Sequence, residues 1–219
     1  MEHPFFVKTE KQQNMIQLKI LAWAILFNII LGSLFVLIGA GLLIFVCLSI
    51  TISIIAPFID VPSGVKSGSL NYYSPLLIGE AVKNDILKLH AGTLFDYYYV
   101  LSKNASHSER KKQAFKGYIE GLLNLIEQYE PTRPNPIKIK ATSYIINPRT
   151  AEKIGLSKVK TNFLGRSLLY FNYVNLLCSL SLMNGKLSFP KLNKVSSFEG
   201  ELDQLIGKKD YLLALNKRL

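Results

Sequence analysis

Residues 20–46 read Ile-Leu-Ala-Trp-Ala-Ile-Leu-Phe-Asn-Ile-Ile-Leu-Gly-Ser-Leu-Phe-Val-Leu-Ile-Gly-Ala-Gly-Leu-Leu-Ile-Phe-Val, inside a longer run, residues 18–58, whose only charge is Lys19. Eighteen or more apolar residues without charge are the mark of a transmembrane helix, because a soluble core of this size cannot cover so long a helix on every side. A single straight helix of 41 residues would be roughly 60 Å long, about twice the hydrocarbon thickness of a bilayer. Two spans, 18–38 and 42–58, use the length better, with Gly39-Ala40-Gly41 as the break. The turn carries no polar residue to hold it at the far interface, so one span continuing into a covered helix is the alternative. The run is too long for the apolar part of a signal peptide.

Outward from this run, residues 1–17 form a polar segment with Lys8 and Lys11. Basic residues close to a span bias that end towards the cytoplasm, so a hairpin places both chain ends on the cytoplasmic side, and a bacterial inner membrane is the expected location. Residues 59–74 hold Pro62, Gly64, Gly68 and four serines and read as a linker to a domain over 75–219. The 219 residues leave ample length for an independent core there. The expected fold class is therefore a membrane anchor, a transmembrane hairpin or one long span, followed by a mostly α-helical α+β domain. Cys47 and Cys178 both lie in apolar stretches and suggest neither a disulfide framework nor a metal site.

Within the domain, Ile78, Ala81, Val82, Ile86 and Leu89 recur at helical spacing, which predicts a helix from Pro75 to about Leu101. Ser106-x-x-Glu109 is a capping box, and Phe115, Ile119, Leu122 and Ile126 predict an amphipathic helix behind it, antiparallel to the first. Ile137, Ile139 and Ala141 alternate with Lys138, Lys140 and Thr142, a half-buried strand. Asn147-Pro148 with Gly155 frames a short helix, and a second strand over 157–161 is expected to pair with the first. Residues 167–185 carry no charge; the stripe Asn172, Asn175 and Ser179 favours a core helix over a membrane-inserting one. Ser196-x-x-Glu199 is taken as the cap of the closing helices.

The charge is unevenly placed. The net charge is +11, and residues 131–194 carry eleven basic residues against Glu152 alone. The candidate binding residues are Arg133, Lys138, Lys140, Arg149, Lys153, Lys158, Lys160 and Arg166, and the partner implied is acidic: nucleic acid, a ribonucleoprotein or anionic lipid. Gly32, Ser33 and Gly39 form a strip of small residues suited to span packing and self-association. Phosphate-loop, nucleophile-elbow and zinc-protease motifs are absent from the sequence, as is any cofactor or metal motif, so no residue is assigned a catalytic role.

Without a motif match, only the outline invites comparison. A two-span anchor with a basic cytosolic domain resembles the membrane effectors of bacterial toxin and anti-phage systems. The expectation is a non-enzymatic protein that docks an acidic partner. The alternative is a hydrolase or transferase working on a lipid-borne substrate, which a pocket lined by histidines or carboxylates would favour.

Overall fold

A computed structural model describes residues 2–131, 136–143, 146–161 and 163–219. Two long helices come first, α1 (Glu10–Leu37) and α2 (Leu43–Lys66), antiparallel and in contact along their length. Both are long and apolar enough to cross a membrane. Gly39 turns the chain at φ +71°, a conformation that costs glycine nothing. The break expected at residues 39–41 is therefore the hairpin turn.

Three polar contacts set the register of the hairpin. Lys66 pairs with Glu10 at 2.8 Å at its base, and the Gln17 side-chain amide donates to the Phe58 carbonyl at 3.0 Å. Deeper down, the Thr51 hydroxyl donates to the Cys47 carbonyl and lies 3.5 Å from Asn28 Oδ1, with Ala24 buried beside them. Small side chains and interhelical polar contacts of this kind let two helices pack closely.

The remaining chain forms a six-stranded sheet with helices on its faces: β1 (Leu70–Ser74), β2 (Leu77–Glu80), β3 (Ile86–Ala91), α3 (Leu94–Val100), α4 (His107–Tyr129), β4 (Lys138–Ser143), α5 (Pro148–Lys153), β5 (Ser157–Val159), α6 (Phe163–Phe171), α7 (Tyr173–Asn184), β6 (Ser196–Glu201), α8 (Leu202–Ile206) and α9 (Lys209–Arg218). The strand order is β1-β2-β3-β4-β6-β5, antiparallel throughout except β3 with β4. That parallel pair needs a crossover, which α3 and α4 supply.

One sheet face carries the main core. Leu87, Leu89, Ile139 and Phe198 of the strands pack with Ile119, Leu123 and Ile126 of α4, Leu205 of α8 and Leu212 of α9. Among the described residues the opposite face is covered towards β1 and β2, where Ile78 packs against Phe5, Val61 and Phe95. This second core joins the N-terminal segment, the base of α2, the sheet and α3.

Several sequence expectations change here. Residues 59–74 are not a linker: α2 runs to Lys66 through Pro57 and Pro62, and β1 follows directly. The helix expected over 75–101 is instead the β2–β3 hairpin followed by short α3. Its turn residues Asn84 and Asp85 both have positive φ (51° and 56°), the geometry a two-residue hairpin requires, and Asn and Asp tolerate it better than most residues. Leu87 and Leu89 then alternate with Lys88 and His90, a period of two hidden within an apparent period of 3.6. β5 pairs with β6 rather than with β4, and Ser196 to Glu199 lie in β6, not in a helix cap. Residues 167–185 divide at Asn172 into α6 and α7, with Asn175, Ser179 and Met183 buried on α7. The α4 helix with its Ser106–Glu109 capping box, the basic-faced β4 and the Asn147-capped α5 stand where they were expected.

Candidate membrane-docking surface

The seven basic candidates among the described residues fall in different settings. Lys138 and Lys140 project from the open part of the sheet, on the face away from Ile139, and there they meet carboxylates. Lys140 pairs with Glu199 at 2.8 Å, and Lys138 stands in register with Glu201. Next to them Lys88 and His90 both reach Glu80, each at 2.9 Å. This face is a mixed lattice of charge, and its lysines are partly neutralised. Arg149 and Lys153 lie one turn apart on α5, both exposed. Arg133 lies outside the described residues.

Burial pushes the Glu80 carboxyl up, but the hydrogen bonds and charges of Lys88 and His90 outweigh it, and the group is held below its usual range. A depressed carboxyl adds stability above its unfolded value, and that contribution is lost as pH falls through the lowered range. Glu80→Gln should therefore flatten the acid limb of the stability curve below about pH 4.5. The pair is largely solvated, so the change should stay under about 1 kcal/mol. Unfolding measured at a series of acid pH values checks this.

The remaining cations have a different setting. Lys158, Lys160 and Arg166 are exposed and bracket the start of α6. That helix packs on α7 and leaves Phe163 and Phe171 85% and 83% exposed, with Leu168 and Tyr170 also open to solvent. The α7 helix in turn packs on α2, so α6 stands one helix away from the apolar hairpin. Large apolar side chains exposed together beside cations make this the candidate interaction surface among the described residues. The charge count alone pointed to Lys138 and Lys140 as strongly as to these residues. The missing signal was the apolar face of α6, submerged in the uncharged stretch read as a core helix.

The strip of small residues is redistributed. Gly32 faces Ile44 across the hairpin, where an added Cβ would meet the Ile44 side chain at 4.0 Å; Ser33 back-bonds to the Ile29 carbonyl, and Gly39 is in the turn. Gly32 thus lies at the contact between the two helices and Gly39 in the turn, while Ser33 is exposed on α1.

A buried polar knot lies where the N-terminus meets the domain. The Asp96 carboxylate, fully buried, accepts from the Tyr72 hydroxyl and from both the backbone N–H and the hydroxyl of Thr93. His3 Nε2 lies 3.3 Å from Asp96 Oδ1, and His3 Nδ1 accepts from the Phe5 N–H at 3.2 Å. Burial and then the Asp96 charge hold the Tyr72 hydroxyl far above its usual range, which keeps it a donor. Glu2, His3, Tyr72 and Tyr73 line an opening of about 510 Å³, the pairing of a histidine with a carboxylate that the enzyme alternative calls for. His3 Nδ1 is thus engaged by the backbone, whereas His3 Nε2 is buried beside Asp96 without an aligned hydrogen bond. The knot fastens the N-terminus to α3 and β1. Among the described residues no cluster of His, Cys, Asp and Glu is arranged to hold a metal ion.

Fold and surface together define a class: an apolar helical hairpin fused through a shared aromatic core to an α+β sheet domain with an exposed amphipathic helix. No protein-family model, curated protein or solved structure matches the chain.

Proposed function

We propose that the protein is a non-enzymatic membrane protein, anchored by the α1–α2 hairpin, whose domain docks onto the acidic headgroups of the same bilayer through α6 and the cations around it. Lys8, Lys11 and Lys19, close to the start of the first span, support a cytoplasmic side for both chain ends and the domain. The observation that carries the docking is the exposure of Phe163, Leu168 and Phe171 beside Lys158, Lys160 and Arg166. Basic residues paired with an apolar helix face suit a membrane interface, where the rings enter the headgroup boundary and the cations meet phosphate. Of the acidic partners considered, anionic lipid is the one that uses both halves of this surface, and α7 already holds α6 near the hairpin.

The test uses the full-length chain in lipid nanodiscs, with amide hydrogen exchange read across α6. Exchange there should be slower in discs containing phosphatidylglycerol than in phosphatidylcholine discs, and the difference should shrink with salt. Each of Lys158→Gln, Lys160→Gln and Arg166→Gln should weaken docking about fivefold, since a basic residue near an anionic surface is worth about 1 kcal/mol. Equal exchange in both lipids refutes the proposal. Salt-dependent binding of labelled RNA, lost in the same variants, would transfer the surface to nucleic acid.

A further inference from the structure

Between α1, α2 and α3 the hairpin carries an open groove of about 560 Å³ whose lining is mostly apolar. Ile20 and Phe27 of α1 face Ile54 and Phe58 of α2 across it, and Tyr98 of α3 stands at its domain end. Lys19 lies at the same end, and it is the one charge between residues 12 and 59. The Lys103 ammonium sits 4.9 Å from the centroid of the Tyr98 ring, which brings a second cation to the mouth. Among the described residues no carboxylate lines the groove.

We infer that this groove binds one anionic phospholipid, with an acyl chain along Phe27 and Ile54 and the phosphate at Lys19, Lys103 and the Tyr98 hydroxyl. The inference rests on the hairpin lying in the bilayer, as proposed above. Lys19 and Asp60 then mark one interface, because about 20 residues from Lys19 to the turn span roughly 30 Å, the thickness of the hydrocarbon layer. The aromatic residues Trp23, Tyr98 and Tyr99 fall at that level, as interface belts do. A headgroup therefore meets the two cations at its natural depth while the chain beneath it meets only apolar walls.

Full-length protein taken from nanodiscs of equal phosphatidylglycerol and phosphatidylcholine should retain one phosphatidylglycerol in native mass spectrometry. Lys19→Gln and Lys103→Gln should each reduce the preference about fivefold, and Ile54→Trp, which fills the groove, should reduce retention of either lipid. Hydrogen exchange over α1 and α2 confirms that each variant keeps its hairpin. Equal retention of the two lipids, or a preference indifferent to all three substitutions, overturns the inference. So does a dimer cross-linked through the groove that Ile54→Trp abolishes. Alkaline carbonate separates the two proposals: a chain extracted from membranes refutes anchoring itself, whereas an integrated chain without retained lipid refutes only the groove.

Discussion

Replacing Phe95 by alanine should destabilise the full-length protein by about 3–5 kcal/mol, the usual cost of removing a buried aromatic ring. Phe95 is fully buried and stands at the centre of the second core. Its ring stacks on His3 at 5.0 Å and 12°, and meets Phe5 and Phe58 edge-on at 5.0 and 5.7 Å. Those partners come from the N-terminal segment and the base of α2, so truncation should loosen the join between hairpin and sheet domain before it affects the main core. Tyrosine near-ultraviolet circular dichroism during denaturation in detergent gives the total loss. Limited proteolysis should locate it, with new cleavage at residues 2–9 and 66–70. Phe95→Leu, which keeps most of the volume, should cost far less. Equal losses for the two variants, or unchanged cleavage at the join, would contradict this role.

Reporters fused to the two chain ends, or thiols introduced there and probed from each side, should give the same answer: both ends cytoplasmic. The hairpin returns the base of α2 to the start of α1, where Lys66 meets Glu10 and Gln17 meets the Phe58 carbonyl. If only one helix crossed the bilayer, about 20 apolar residues of the other would face water, at roughly 0.8 kcal/mol for each methylene exposed. The domain also needs the N-terminus beside it, since His3 and Phe5 are buried against α3 and the sheet. Opposite sides for the two ends would break that core as well as the topology, and would remove the basis for docking at the inner leaflet.

Much of this architecture is local and so is written locally. The apolar run over 18–58 follows from composition alone, and the turn at Gly39 from the one place in it where glycines cluster. The capping boxes at Thr9 and Ser106, the Asn147 cap and the alternation of Ile137, Ile139 and Ala141 with lysines each depend on neighbours within a few residues. Where period 2 and period 3.6 both fit, as over Ile78 to Leu89, local reading chose wrongly. The deciding facts are a two-residue turn with φ above zero and partners on β1 and β4 far along the chain.

The candidate sites were decided by the tertiary fold. Net charge located residues 131–194, but only packing separates Lys140, already paired with Glu199, from Arg166, which stands beside exposed Phe163 and Phe171. The same uncharged stretch yields a buried α7 and an open α6, because Asn175 and Ser179 turn towards the domain while Leu168 and Phe171 find no cover. His3, which is terminal in sequence, closes a carboxylate knot through Asp96, more than ninety positions away along the chain. Hydrophobicity is a property of each residue and shows in the sequence; burial, charge pairing and grooves are properties of pairs brought together by folding, and here those pairs come from distant strands and helices.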